Sequence, residues 1–400
     1  MMEQFSNFKI RELNSSLSEK YYLVISKNNY FEANQIMVEL LLCLQKSKEI
    51  REGINIFLAN HKDLNYSYDQ INEIIQSKII PIFCIEKTVS KSQFLYDKQL
   101  LSPSIIDKVS TLFRFLFVRK ILISIMMFTI IVDVLFWLYA PNLLVYNNGI
   151  TLVTIILLIF LILFSSLVHE LGHASACKYF GIQHGGIGIG FYLNFPVLYT
   201  DVTNIWQLSR GKRCIVNIAG VYFQSILLVV LIFGYLICRS DLLRYMIFMM
   251  NIGFLLTLNP FFKFDGYWLA SDLLGIPNLH LHSKEMIKYF LYKIIRKKSS
   301  IKLKLAKVKL KEKVAFVIYV FMANVFMVYY FCYIIPKFIC RFIKSFPEEM
   351  QQLVSYLTYQ IVPPFALVRN IFSQLLFCVL IIYMIISFGK NFIIKKFVKK

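Results

Sequence analysis

Residues 150–173 read ITLVTIILLIFLILFSSLVHELGH. The part from Ile150 to Phe164 carries no charge and is too apolar for a helix of a water-soluble enzyme, so it is expected to lie in a bilayer. Its far end, His169-Glu170-Leu171-Gly172-His173, has the opposite chemistry. On a helix, positions i and i+4 share a face, so both imidazoles reach one Zn²⁺ while the intervening Glu lies beside the metal's open position. Glu170 is then the expected general base: it takes a proton from a water whose pKa the metal has lowered, and the hydroxide attacks a peptide carbonyl. Histidine is scarce, six in 400 residues, so a chance match to this spacing is expected in only roughly one such chain in several hundred. The alternative is two helix histidines satisfied by neighbours beside a surface Glu. It is disfavoured because ionisable groups at membrane depth are costly and are usually kept for function.

Composition bounds the class. The chain is 58% hydrophobic, 16% aromatic and 17% charged, with a mean hydropathy of +0.60, more apolar surface than one globular core can hide. The fold class expected is a polytopic α-helical membrane protein with about six transmembrane helices and a small N-terminal α+β domain in the cytoplasm. The eight cysteines form no Cys-x-x-Cys pair and sit in apolar surroundings, so they are read as packing residues. The net charge of +21 comes from Lys and Arg clustered beside apolar spans, which points to anionic lipid heads at the bilayer and not to nucleic acid. The first seventeen residues have no long apolar core, so no cleaved signal peptide is expected.

Six stretches are long and apolar enough to span: 121–140, 150–168, 215–238, 245–262, 314–335 and 371–388. Residues 141–149 carry no charge and 239–244 little, whereas 178–213 and 263–313 are basic, so both termini are expected on the cytoplasmic side of a multi-pass cell membrane. The second and fourth spans then both run inward, which brings His169, His173 and Asp265 to one depth. A site with two His needs a third protein ligand, and Asp265 in Asn259-Pro260-Phe261-Phe262-Lys263-Phe264-Asp265-Gly266 suits that role. Pro260 breaks the helix, Gly266 frees the backbone, and irregular backbone at this depth is tolerated only around a cavity or a site. An interfacial carboxylate paired with Lys263 is the plain alternative. Asp201 and Asp272 are rival ligands, and Asp133 lies on the wrong half or too deep.

Residues 181–201, GIQHGGIGIGFYLNFPVLYTD, are glycine-rich and then aromatic and β-branched, the pattern of a hairpin or re-entrant strand pair. An open strand edge there would hold a peptide extended, with its scissile carbonyl exposed; a connector packed over the bundle is the competing reading. Asn194 in this segment and Asn259 before the break are candidate substrate contacts, whereas His184 is better read as a loop histidine. Residues 283–313 begin with helically spaced Ile287, Phe290, Leu291 and Ile294 and suit either the inner membrane surface or a solvated connector. His280 and His282 flank them as interfacial residues.

Residues 1–100 read as an independently folding module. Strands are expected at 21–25 and 29–31, then helices with apolar positions Ile36, Leu40, Leu44, then Ile50, Ile54, Phe57, then Ile71, Ile74, Ile75. Residues 101–120 are expected to link this domain to a membrane core at 121–274, followed by a basic interfacial segment at 275–313 and C-terminal spans at 314–400.

With His169-Glu170-x-x-His173 ending one span and Phe264-Asp265-Gly266 after an Asn-Pro break, the region 150–274 resembles the site-2 protease family of intramembrane zinc metalloproteases. The resemblance implies Zn²⁺ held by His169, His173 and Asp265, with Glu170 as catalytic base. It also implies a Gly-Pro-x-x-Asn element, matched here by Gly220-Val221-Tyr222-Phe223-Gln224. Gln224 replaces the Asn and is carried over as a candidate substrate contact. The fuller wording is similar to bacterial peptide zinc metalloproteases associated with ribosomally made, modified peptides, which implies a bacterial plasma membrane and a small precursor peptide as substrate. The N-terminal module resembles the winged-helix-like recognition domain of the pyrroloquinoline-quinone peptide-chaperone type, which implies that it binds the peptide. Two alternatives stand beside this: cleavage of a membrane-anchored regulator, and a non-catalytic peptide exporter or immunity protein whose zinc site is closed by a fourth ligand such as His184. Oligomeric state is not legible in the sequence.

Overall fold

The computed structural model describes residues 8–13, 21–26, 29–47, 49–61, 66–80, 83, 97–140, 152–192, 195–295 and 310–397. The chain divides into two compact units, Met1–Asn147 with Ile156–Ile318, and Asn148–Ile155 with Tyr319–Lys400.

The first unit begins with an antiparallel sheet of β1 (Phe8–Leu13), β2 (Tyr21–Ser26) and β3 (Asn29–Asn34) in the order β1-β2-β3. β1 has no counterpart among the expected strands. Helices α1 (Gln35–Lys46), α2 (Ile50–Asn60) and α3 (Tyr68–Ile74) follow. Asn34 starts α1 because its side-chain oxygen accepts the Met37 N–H at 2.8 Å, and Ser67 with Gln70 forms a capping box on α3. Val24, Leu41, Leu44, Ile54, Phe57, Ile71 and Ile75 close a core that belongs to this module. Ile36, expected inside, is 43% exposed, because the buried stripe of α1 centres on Leu41 and Leu44 and leaves it at the margin.

Residues 97–120 are ordered. β4 (Asp97–Leu101) adds to the hairpin of β5 (Ile187–Tyr192) and β6 (Phe195–Thr200) to give the sheet β4-β5-β6, so the segment read as a hairpin gains a third strand from far upstream. α4 (Pro103–Phe113) starts on Pro103, where a missing N–H costs nothing, and a 3₁₀ turn leads into α5 (Arg119–Tyr139). α6 (Leu152–Tyr179) carries the His-Glu-x-x-His residues near its end. α7 (Arg210–Cys238) is the central element, packed against α5, α8 (Asp241–Thr257) and α9 (Asp265–Leu274). α10 (Leu279–Ile294) follows.

Among the described residues four helical runs, Arg119–Tyr139, Val153–Tyr179, Arg210–Cys238 and Leu310–Thr358, are long and apolar enough to cross a membrane. Their outward faces are apolar, as at Ile130, Phe160 and Leu163, and such surface suits lipid. The helix expected over 245–262 is the shorter α8, 17 residues ending at Thr257. Pro260 forbids helical backbone immediately before it, which explains the earlier end.

α11 (Leu310–Tyr329), which belongs to the second unit from Tyr319 onward, passes through a π turn at Tyr330–Ile334 into α12 (Ile335–Thr358), and α13 (Phe365–Phe397) follows. The rings of Phe338 and Phe377 lie 3.9 Å apart, and Gln374 donates to Ser345 and Glu349. Within α13 the apolar segment is Ala366–Val379. α12, with Lys337, Arg341 and Lys344 among Phe and Ile, was not expected from the apolar runs. The loop at 141–149 and the alternating residues 301–305 lie outside the described residues.

Candidate metal centre

The site begins with the last turns of α6. His169 and His173 are one turn apart, so their imidazoles project together, and their Nε2 atoms are 3.0 Å from each other. Asp265 comes from the other side. The chain leaves α8 at Thr257, and Asn259 turns its own oxygen onto the Phe261 N–H at 2.8 Å, so Asn259 acts here on the turn. His280 of α10 supports the same turn: its Nε2 is 3.1 Å from the Phe261 carbonyl and its ring lies against Tyr267. Asp265 opens α9, where the helix N-terminus favours a carboxylate, and its Oδ2 stands 2.8 Å from His169 Nε2 and 3.2 Å from His173 Nε2.

These three residues are the one group of metal-ligating side chains found among the described residues. Zinc bonds of about 2.0–2.1 Å in a tetrahedron place neighbouring ligand atoms roughly 3.3 Å apart, so the observed triangle is close to the size that the ion requires. The donor set, two imidazoles and one carboxylate, suits zinc as well. His169, Glu170 and His173 are 9%, 8% and 6% exposed, so Glu170 is shielded from bulk water beside the ligands. Thr200, at the end of β6, donates to the Glu170 backbone carbonyl at 3.4 Å and ties the sheet to that turn of α6.

α7 seats both imidazoles. His173 Nδ1 is 2.8 Å from the Val216 carbonyl and His169 Nδ1 is 3.0 Å from Gln224 Oε1. Between them lies Gly220: a Cβ there would sit 2.3 Å from His169 Nε2 and 2.4 Å from its Cε1. Gly220→Ala is therefore expected to push the imidazole out of place, destabilise the fold by about 1–3 kcal/mol, and lower metal content. Thermal unfolding and metal analysis of the purified variant check both. Gly266 works by contact too. Its backbone is helical, and a Cβ would lie 2.1 Å from the Leu258 carbonyl oxygen, so close approach demands glycine where the sequence pointed to backbone freedom.

The rival carboxylates are occupied elsewhere. Asp201 accepts from the Thr203 backbone and hydroxyl, and Asp133 accepts from Asn251 on α8. Asp272 receives Arg213 Nη2 at 2.6 Å, Arg213 Nε at 2.7 Å and Asn217 Nδ2 at 2.8 Å, in a buried cluster that pins α9 to α7. His184 is bonded to Gly185 O and Ser110, near Asp107, and takes no part in the cluster. Asp107 itself holds Lys178 at 2.6 Å, which anchors α4 to the end of α6. Asn194 lies outside the described residues. Sequence reasoning missed Arg213, Asn217 and Ser165, because nothing in their spacing announces a partner.

No family model matches this chain, and no solved structure matches it. The chain is similar to "Putative peptide zinc metalloprotease protein YydH" of Bacillus subtilis (strain 168), with 28% identity over 192 residues, covering 46% of this chain and 71% of that protein.

Proposed function

We propose that this chain is a membrane-embedded zinc metalloendopeptidase that hydrolyses a peptide bond in a small precursor or modified peptide. The observation that carries the reading is the convergence of His169, His173 and Asp265 within hydrogen-bond distance of one another beside the buried Glu170, the histidines and Glu170 standing on a helix apolar enough to span. The similarity to a protein named as a peptide zinc metalloprotease supports zinc protease chemistry.

His169, His173 and Asp265 would hold the zinc, which supplies a lowered water pKa and polarises the substrate carbonyl. Glu170 accepts the proton of the attacking water and passes it on to the leaving amine, which closes the proton balance of the hydrolysis. Burial of the site keeps bulk water away from this transfer. β6 is an outer strand of its sheet and ends at Thr200 against Glu170, so a substrate laid along it in extended form would bring its carbonyl towards the catalytic turn. In this reading α8 and α13 complete six crossings, and both termini lie in the cytoplasm.

The N-terminal module is proposed to recruit the peptide. It touches the core where α7 begins: Tyr30 bonds Asn204 at 2.7 Å and Gln207 at 2.8 Å, and Arg11 donates to the Gln207 carbonyl. Arg11, Leu23, Trp206 and Lys212 are among the residues lining a cavity of about 490 Å³ beside that contact. A closed structural site would need a fourth protein ligand, and His184 is bonded elsewhere.

Metal analysis by plasma spectrometry tests the reading. One zinc per chain is expected in the purified protein, with chelation abolishing cleavage and added zinc restoring it, and Asp265→Ala should lose metal. A wild-type protein without zinc would sink the assignment; unchanged metal in Asp265→Ala would move the third ligand to another residue.

A further inference from the structure

Gln224 sits four residues after Gly220 on α7, and Ser165 sits four residues before His169 on α6, so each pair shares a helix face. Gln224 Nε2 reaches Ser165 Oγ at 2.8 Å and the Ser165 backbone carbonyl at 3.3 Å, while Gln224 Oε1 faces His169 Nδ1 at 3.0 Å. The direction of this chain of bonds follows from chemistry. A backbone carbonyl only accepts, so the end of the amide turned towards Ser165 must be the NH₂ group, and the end turned towards His169 must be the oxygen. An oxygen can only accept, so His169 must carry its proton on Nδ1. That leaves the lone pair on Nε2, the atom that meets Asp265 and His173.

We propose that Gln224, oriented by Ser165, is a positioning residue that fixes the tautomer and ring plane of His169 for metal binding, and that it does not contact substrate. The assignment rests on the zinc reading above. His173 obtains the same service from the Val216 backbone carbonyl, so Val216, Gly220 and Gln224, spaced by four along one face of α7, form a continuous seat for both ligands. The Gln224 amide nitrogen faces two acceptors of Ser165 and its oxygen faces His169, which turns both ends of the side chain away from a peptide.

The test measures zinc affinity of the full-length protein, without substrate, by competition with a chelator, together with the visible spectrum of the cobalt-substituted form. Gln224→Met keeps the volume but removes the acceptor and should weaken zinc by about 10- to 100-fold and alter the cobalt bands. Gln224→Glu restores an acceptor on Nδ1–H and should recover affinity to within about threefold of wild type; Ser165→Ala should fall between the two. Met and Glu variants that lose metal equally would reduce the role to packing and overturn the proposal. So would a Gln224→Met protein with wild-type zinc affinity and a raised KM, the signature of a substrate contact. A wild-type protein that binds no zinc would instead sink the metalloprotease reading itself, so the two failures are distinguishable.

Discussion

Replacing Glu170 by Gln is expected to leave zinc bound and to slow peptide cleavage by about 10²- to 10⁴-fold, the usual worth of a positioned general base. The amide is nearly the same size and shape as the carboxylate, so the last turns of α6 and the seat on α7 should be undisturbed. What disappears is the group that accepts the proton. Glu170 is 8% exposed, so bulk water is poorly placed to substitute for it. The three ligand atoms belong to other residues, which is why metal content and cleavage should separate in this variant. The measurement is zinc per chain together with the peptides that accumulate in cells making Glu170→Gln and wild-type protein. Normal processing by a metal-loaded Glu170→Gln protein would refute the mechanism.

Arg213→Met should be the most damaging change outside the ligand cluster. Arg213 and Asp272 have side chains only 7% and 9% exposed, and Arg213 gives the carboxylate two bonds while Asn217 gives a third. Burial pushes the Asp272 carboxyl up from the ordinary carboxylate range, and Arg213 is the strongest influence holding it down. Removing one partner of such a pair costs about 3–5 kcal/mol, because the other charge is left buried. The double variant Arg213→Met with Asp272→Leu should recover a large part of that loss, since neither charge then remains. Unfolding of the two single variants and the double variant measures the coupling. Zinc affinity should follow stability, because α9 carries Asp265 at its first residue and Asp272 two turns later on the same helix. Unchanged stability in Arg213→Met would mean that α9 is held by other contacts.

The fold was legible to different depths along the chain. The apolar runs located α5, α6, α7 and α11, because a span is recognised by length and composition alone. Pro260 marked the end of α8, although the helix stops before the proline and not after it. The strands of the N-terminal module were found at Tyr21 and Asn29 but not at Phe8, whose alternation is hidden among charged neighbours. α12 mixes Lys and Arg with Phe and Ile, and its apolar face is visible only once the helix is given.

At the site, sequence by itself determined what short-range periodicity can carry: two histidines on one helical face with a glutamate between them, a break before an aspartate, and a glycine-rich pair of strands. Only the tertiary structure decided which carboxylate meets the histidines, since Asp265 and His169 are 96 residues apart and Asp201 and Asp272 were rivals for the role. It also decided that Gln224 turns to His169 and that Arg213 locks Asp272, contacts between residues 55 and 59 positions apart. The reason is physical. Helix periodicity and apolar length are properties of a segment, whereas a hydrogen bond between segments depends on how close two backbones come, and here that distance is set by Gly220 against the His169 ring.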